Sequence, residues 1–303
     1  MKVDWLQILQ LALCVIALYA ISIWSTTREG FEAGESISLE DPEKYYDPLY
    51  ASIYKALWHS QQKLEYEQVS MQDIALASWT TSTVKVLDLC CGVAPHACWF
   101  KNMGVEYTGV DTSVAMIEQA RKDCPSATFQ KGDVTQAGLY PPKSCSHTAL
   151  LGFSAYMFPN PKVVSDNAYL WTQPGGFFIV HLVEPDKYDP LMDLASPFAA
   201  FSLQKYSYER QTKSEIFFSD FKYTGTFHKK KNEEDTVFDE VLTYYDTESS
   251  PNHVKYREQK QRWHMPDLES MIDTIKTSGW RLKEKVHLVS AGKEYQYIVY
   301  FTK

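Results

Sequence analysis

The 303-residue chain has no Asn-x-Ser/Thr acceptor, and its six cysteines lack the spacing of a disulfide framework. Cys14, Cys90, Cys91, Cys98, Cys124 and Cys145 are scattered; Cys90 and Cys91 are adjacent, and Cys14 sits in an apolar run. Small secreted scaffolds pattern their cysteines differently, so both absences favour a reducing compartment. Basic excess is missing too. Thirty Lys and Arg face 38 Asp and Glu, a formal net charge of -8, so bulk electrostatics give a nucleic-acid partner no support. No internal repeat or low-complexity tract occurs, which excludes a solenoid or a disordered array.

One absence is local. From Trp5 to Trp24 (WLQILQLALCVIALYAISIW) no residue is charged. A helix of that length spans about 30 Å, the hydrocarbon thickness of a bilayer. Tryptophans stand at both ends, where amphipathic rings prefer the headgroup region. The run is too long for a signal-peptide core, and Ser25 to Glu29 offers no small-x-small cleavage site. The expectation is a transmembrane anchor over residues 1–25, followed by a polar, acidic juxtamembrane linker over 26–44. Lys2 and Arg28 flank the two ends, so charge does not set the orientation.

From residue 45 onward the pattern is α/β. Tyr45 to Gln68 has Leu49, Ile53 and Leu57 at helical spacing, with Tyr50 and Tyr54 among them, and reads as one helix. Strands at 84–89, 107–110, 127–130 and 147–153 alternate with helices at 94–103, 113–124 and 162–171. Pro174-Gly175-Gly176 then leads into a strand over 177–183. Strands separated by crossover helices imply a doubly wound, mostly parallel sheet covered on both faces. Residues 213–264 break this pattern with period-two alternation and polar turns, which predicts an antiparallel insertion of three strands. A helix over 267–278, stopped at Gly279, and a terminal hairpin at 281–289 and 295–302 complete the chain.

The chemistry concentrates at strand ends. In VKVLDLCCGVAPHACWF (84–100) a buried strand reaches Asp88, turns at Gly92 and enters a helix, a turn that brings backbone N–H groups to a ligand. Asp111 closes the next strand in YTGVD, where a carboxylate can accept the two hydroxyls of a ribose. Asp133 follows the third strand in KGDV, where a carboxylate can receive an adenine amino group. Acids at three successive strand ends converge on one crevice of a doubly wound sheet.

The runs VLDLCCGVAP, GVDTSVAMIEQAR, KGDV and PGGFFIV, in that order and spacing, resemble class I, Rossmann-like S-adenosylmethionine-dependent methyltransferases over about residues 45–303. The resemblance implies a seven-stranded sheet whose last strand is antiparallel, with S-adenosylmethionine as cosubstrate. It implies that Asp88 and the Cys90–Ala94 loop, with Gly92, hold the amino-acid end. Asp111 and Thr112 would take the ribose, Met116 would pack on adenine, and Asp133 with Val134 would read its edge. Residues 213–264 would form the substrate cover. Since the cosubstrate is cytosolic, a single-pass protein would hold its catalytic domain on that side.

Two departures stand out: Cys90 and Ala94 occupy positions where the family has glycine. They keep open a non-catalytic, methyltransferase-like adaptor. An NAD-dependent oxidoreductase is the other alternative, against which stand the missing glycines of a dinucleotide loop. The segment GFSAYMFPN (152–160) lacks the patterns expected for methylating nucleobases. The expected acceptor is a small molecule, then a lipid-like molecule, then a protein side chain. His181 and Tyr156 are the candidate catalytic residues, His181 as a general base or a hydrogen-bonded core histidine, Tyr156 as pocket wall or packing. Cys90, Cys91, His96 and Cys98 share the turn and its helix, and no metal site is expected.

Overall fold

The computed structural model describes residues 36–39, 42–196, 204, 209–230, 233–245 and 254–303. The transmembrane helix expected over residues 1–25 lies outside them. Among the described residues no helix is long and apolar enough to cross a membrane. The longest have 11 residues, about 16 Å at 1.5 Å per residue, against about 30 Å of hydrocarbon. The fold class is therefore corrected to α/β with no membrane-spanning helix among the described residues, and the single-pass localisation has no support in them.

Strand β1 (Ser36–Leu39) lies within the stretch expected to be linker. The helix read as continuous from Tyr45 to Gln68 is three: Pro42–Tyr45, Pro48–Trp58 and Gln61–Met71. Asp47 caps the second, its side chain accepting from Tyr50 N, with Pro48 in the first turn where a missing N–H costs nothing. His59 turns extended and Ser60 caps the third, accepting from Lys63 N. Helical periodicity alone passes over such a cap.

Next come β2 (Lys85–Leu89), β3 (Glu106–Asp111), β4 (Thr128–Lys131), β5 (Cys145–Leu150) and β6 (Thr172–Val183), separated by helices at Ala97–Asn102, Val114–Asp123 and Pro161–Trp171. Four strands follow, β7 (Lys213–Phe217), β8 (Phe221–His228), β9 (Asp235–Tyr245) and β10 (Val254–His264), where the alternation predicts three. The chain reverses between β7 and β8, so Phe218 donates to Phe221 O and one apparent strand is a hairpin. Helix Leu268–Thr277 and the pair β11 (Arg281–His287) and β12 (Gln296–Thr302) close the fold.

The larger sheet has the order β11-β12-β6-β5-β2-β3-β4. Strands β2 to β6 run parallel, and β12 is antiparallel to both β6 and β11. The smaller sheet runs β1-β10-β9-β8-β7, antiparallel except for β1 beside β10.

Successive residues of the central strands serve opposite faces, as a two-residue period requires. Leu87, Leu89, Phe178 and Val180 join one cluster; Val86, Phe177 and Ile179 join the other. The smaller sheet covers the first face, adding Tyr223, Phe227, Phe238, Leu242 and Trp263, all buried. Of the insertion's aromatics these are core, whereas Phe217 is 72% exposed on the edge strand. Cys98 and Cys124 form a single disulfide between neighbouring helices, a bridge that scattered cysteines did not announce.

Candidate active site

The turn after β2 takes an unusual path. Cys90, Gly92 and Ala94 have φ of 53°, 54° and 50°, a left-handed region that costs a residue with a Cβ about 1–3 kcal/mol. The turn is held from both sides, with Cys91 N donating to Val110 O at 2.9 Å and Ala94 N to Cys91 O at 2.8 Å. Ala94 thus does need the conformation in which glycine would be at ease, and the surrounding fold imposes it.

Asp111 ends β3 beside that turn. Its carboxylate accepts from Gly92 N and Ser113 N, both at 2.9 Å. Burial pushes its pKa up and the backbone N–H groups pull it back, leaving it above the ordinary aspartate value. Ser113 caps the helix that carries Met116 and donates its hydroxyl to Tyr46 O at 2.8 Å, which ties the N-terminal segment to this loop. Asp133 follows β4, accepting from Thr135 N and Oγ1 at 2.9 and 2.7 Å. Val134 is fixed by Asn167, which donates to its carbonyl at 2.9 Å. Gly132, just before Asp133, leaves room for a neighbouring side chain: a Cβ there would stand 2.8 Å from that of Leu139.

Cys90, Gly92, Asp111, Thr112, Met116, Asp133 and Val134 line one cavity of about 410 Å³, within the range of cofactor pockets. Ala94 and Asp88 are not in its wall. Asp88 is buried on the opposite face of the sheet, accepting from Tyr107 Oη at 2.6 Å, with its pKa raised to about 6 by burial. It supports the strand from behind instead of reaching into the cavity.

The catalytic candidates also lie elsewhere. His181 is fully buried, one ring nitrogen bonded to Gly152 O and the other to Gln296 Oε1, and burial lowers its pKa to about 3. Tyr156 is fully buried as well; its hydroxyl accepts from Val183 N at 2.7 Å and donates to Val183 O. Neither is in the wall of this cavity: residue type and strand-end position suggested a base, whereas both side chains spend their polar atoms on hydrogen bonds around β6.

The far wall was not legible. It comprises Tyr45, Tyr46 and Tyr54 from the N-terminal helices, Ser154, Met157 and Phe158 after β5, and Lys260, Gln261, Arg262 and Trp263 of β10. The tyrosines form a chain of ring contacts, with Tyr45 to Tyr46 at 4.6 Å, Tyr46 to Tyr50 at 5.7 Å and Tyr50 to Tyr54 at 5.8 Å. That density of tyrosine in one short segment was the available signal.

Behind this wall sits Glu240 of β9, fully buried. Tyr50 and Tyr223 donate to one carboxylate oxygen at 2.5 Å each; Gln259 and Gln261 donate to the other at 2.8 and 2.6 Å. Gln261 turns its own oxygen to Tyr46 Oη at 3.3 Å and Trp263 Nε1 at 3.2 Å. One carboxylate thereby fixes three side chains of the cavity wall. Burial raises its pKa while the four donors oppose the rise.

Residues 86–176 match the family model of the methyltransferase domain. No curated protein matches the chain in sequence. Among solved structures, the CcbJ methyltransferase from Streptomyces caelestis is similar at 13% identity and a TM-score of 0.61, covering 86% of this chain and 99% of its own. The sugar N-methyltransferase KedS8 from Streptoalloteichus sp gives 12% and 0.61, covering 91% of this chain and 99% of its own. CalS10, an amino pentose methyltransferase from Micromonospora echinaspora solved with its methyl donor bound, gives 12% and 0.59, covering 84% and 97%. At such identities these structures speak to the fold; the matched segment contains the β2 turn and the strand ends at Asp111 and Asp133. The chain thus carries a segment similar to the methyltransferase domain, on the fold that these S-adenosylmethionine-dependent methyltransferases share.

Proposed function

We propose that residues 45–303 act as one methyltransferase domain, with 213–264 as its substrate cover, and that the acceptor is a small molecule. In this reading Cys90 and Gly92 border the amino-acid end of the cosubstrate, and Asp111 with Thr112 receives the ribose. Met116 packs on the adenine, whose edge Asp133 and Val134 read. The residues present fit that group. A carboxylate offers about four lone-pair directions, and Asp111 commits one each to Gly92 N and Ser113 N. The observation that carries the proposal is continuity: one cavity runs from this wall to the aromatic wall of the cover sheet.

When bound, S-adenosylmethionine supplies a methyl group on a positively charged sulfur, open to in-line attack by an acceptor lone pair. The chain's own part is to align that lone pair and exclude water. Among the described cavity residues none is a free base. Cys90 stays a protonated thiol because burial and the Asp111 charge push its pKa up, and burial does the same to Tyr46 and Tyr54. Asp111 and Asp133 are the acids that this reading commits to the ribose and the adenine edge. An acceptor atom that brings its own lone pair, such as a neutral amine or an anionic oxygen, suits this site better than an alcohol. The names of CalS10 and KedS8 are in keeping with a small acceptor.

The test supplies labelled methyl donor to the purified full chain with a cell extract divided by dialysis. Label in the dialysable fraction, lost with Asp111→Ala, supports the proposal; label confined to retained macromolecules overturns it.

A further inference from the structure

The cover sheet distributes its positive charges unevenly. Lys213 and Lys222 pair with Glu215, Lys229 with Asp186, Lys230 with Glu233, and Arg257 with Asp47 at 2.7 Å. Between residues 213 and 264, the remaining Lys and Arg side chains that are described are Lys260 and Arg262, and neither has an ion-pair partner among the described residues. Carboxylates are not scarce in a chain of net charge -8. The residue across the ladder from Lys260 is Asp239, which is engaged by His228 at 3.0 Å; across from Arg262 is Val237. Both unpaired cations line the cavity, beside Trp263 and opposite the cosubstrate loops.

Local strand geometry explains their position. β1 pairs with β10 over residues 256–259, and beyond Gln259 no described strand lies along that edge of β10, where residues 260–263 border the cavity. Residues 260 and 262 share one face of the strand, while Gln261 and Trp263 share the other, buried one. Trp263 is stacked between Phe153 at 5.3 Å and Phe238 at 5.4 Å, so both its faces are taken and it holds β10 rigidly at the cavity edge.

We propose that the acceptor bears an anionic oxygen group, carboxylate or phosphate, which docks on Lys260 and Arg262 while its apolar or aromatic body lies against Met157 and Phe158. This rests on the reading that the cover-sheet wall takes the acceptor. Arginine and lysine side by side favour such groups, the guanidinium through paired N–H donors and the ammonium as a point charge. The arrangement selects against acceptors that carry a net positive charge at that end, because both cations would then face an uncompensated like charge.

The test uses the full chain saturated with S-adenosylhomocysteine and three calorimetric probes of one shape: phenylacetate, phenyl phosphate and 2-phenylethanol. At least one anion is expected to bind about tenfold or more tightly than the alcohol, and the one that wins separates carboxylate from phosphate. In a Lys260→Ala, Arg262→Ala double variant the anion advantage should vanish while S-adenosylhomocysteine affinity stays unchanged. Equal affinities for all three probes, or no binding by either anion, overturns the inference. So does a double variant that no longer binds S-adenosylhomocysteine, since the two cations would then serve the cosubstrate's own carboxylate. Failure of the unmodified chain to bind S-adenosylhomocysteine is read before any probe is added, and overturns the cosubstrate assignment beneath the inference.

Discussion

Two carboxylates, half-buried Asp111 and fully buried Glu240, are satisfied in different ways. Asp111 accepts from the backbone of Gly92 and Ser113, segments that are near it because β2 and β3 are adjacent in the sheet. Glu240 accepts from the side chains of Tyr50, Tyr223, Gln259 and Gln261, drawn from a helix and two strands far apart in sequence. A backbone-held acid belongs to a fold and recurs wherever the fold does. A side-chain-held acid belongs to one chain and builds one particular wall. In the proposed reading the first wall holds the cosubstrate and the second selects the acceptor.

The contrast is broken most forcefully at Glu240. Glu240→Ala leaves four buried donors without an acceptor, at about 1–3 kcal/mol for each that water cannot reach. The expected loss is about 3–5 kcal/mol in urea unfolding, with a smaller loss for Glu240→Gln. A loss under about 1 kcal/mol for the alanine variant would mean that water replaces the carboxylate readily. Asp111→Ala should act on binding instead: losing a charged acceptor of about 1.5–3 kcal/mol weakens the methyl donor about 10- to 100-fold by calorimetry.

What was legible follows the same division. The turn at Gly92 and the acids at Asp111 and Asp133 could be read because each is a local pattern at a strand end. Asp88 shared the pattern but not the location: strand alternation sends it to the far face, against Tyr107. The register of β10 is set by pairing with β9 and β1, so no local signal marks Lys260, Gln261 or Arg262 as cavity wall. The split of β7 from β8 was hidden because aromatic residues run up to the turn from both sides, Phe217 and Phe218 before it and Phe221 and Tyr223 after it. His181 and Tyr156 were plausible by residue type and are occupied by hydrogen bonds to segments that sequence cannot place.

Smaller effects sharpen the comparison. Ala94→Gly relieves a left-handed alanine, and the gain exceeds the added entropy of the unfolded chain by about 0.5–1 kcal/mol. A clear loss of stability would show that the alanine methyl contributes packing that outweighs the strain. The subtlest check is at His181. Unfolded, this ring takes a proton near pH 6.5; folded, it resists until about pH 3. Protons therefore favour the unfolded chain, and its contribution to stability is present above about pH 6.5 and is lost as pH falls toward 3. Its ring carbon resonances should show no titration between pH 5 and 8. A step near 6.5 would contradict the buried placement.

The division of labour between the two walls is tested most directly by one calorimetric series. S-adenosylhomocysteine is titrated into the unmodified full chain, Asp111→Ala and Trp263→Ala. The account predicts micromolar binding to the first, binding weakened about 10- to 100-fold in the second, and binding essentially unchanged in the third. Equal losses in both variants, or no binding to the unmodified chain, would contradict it.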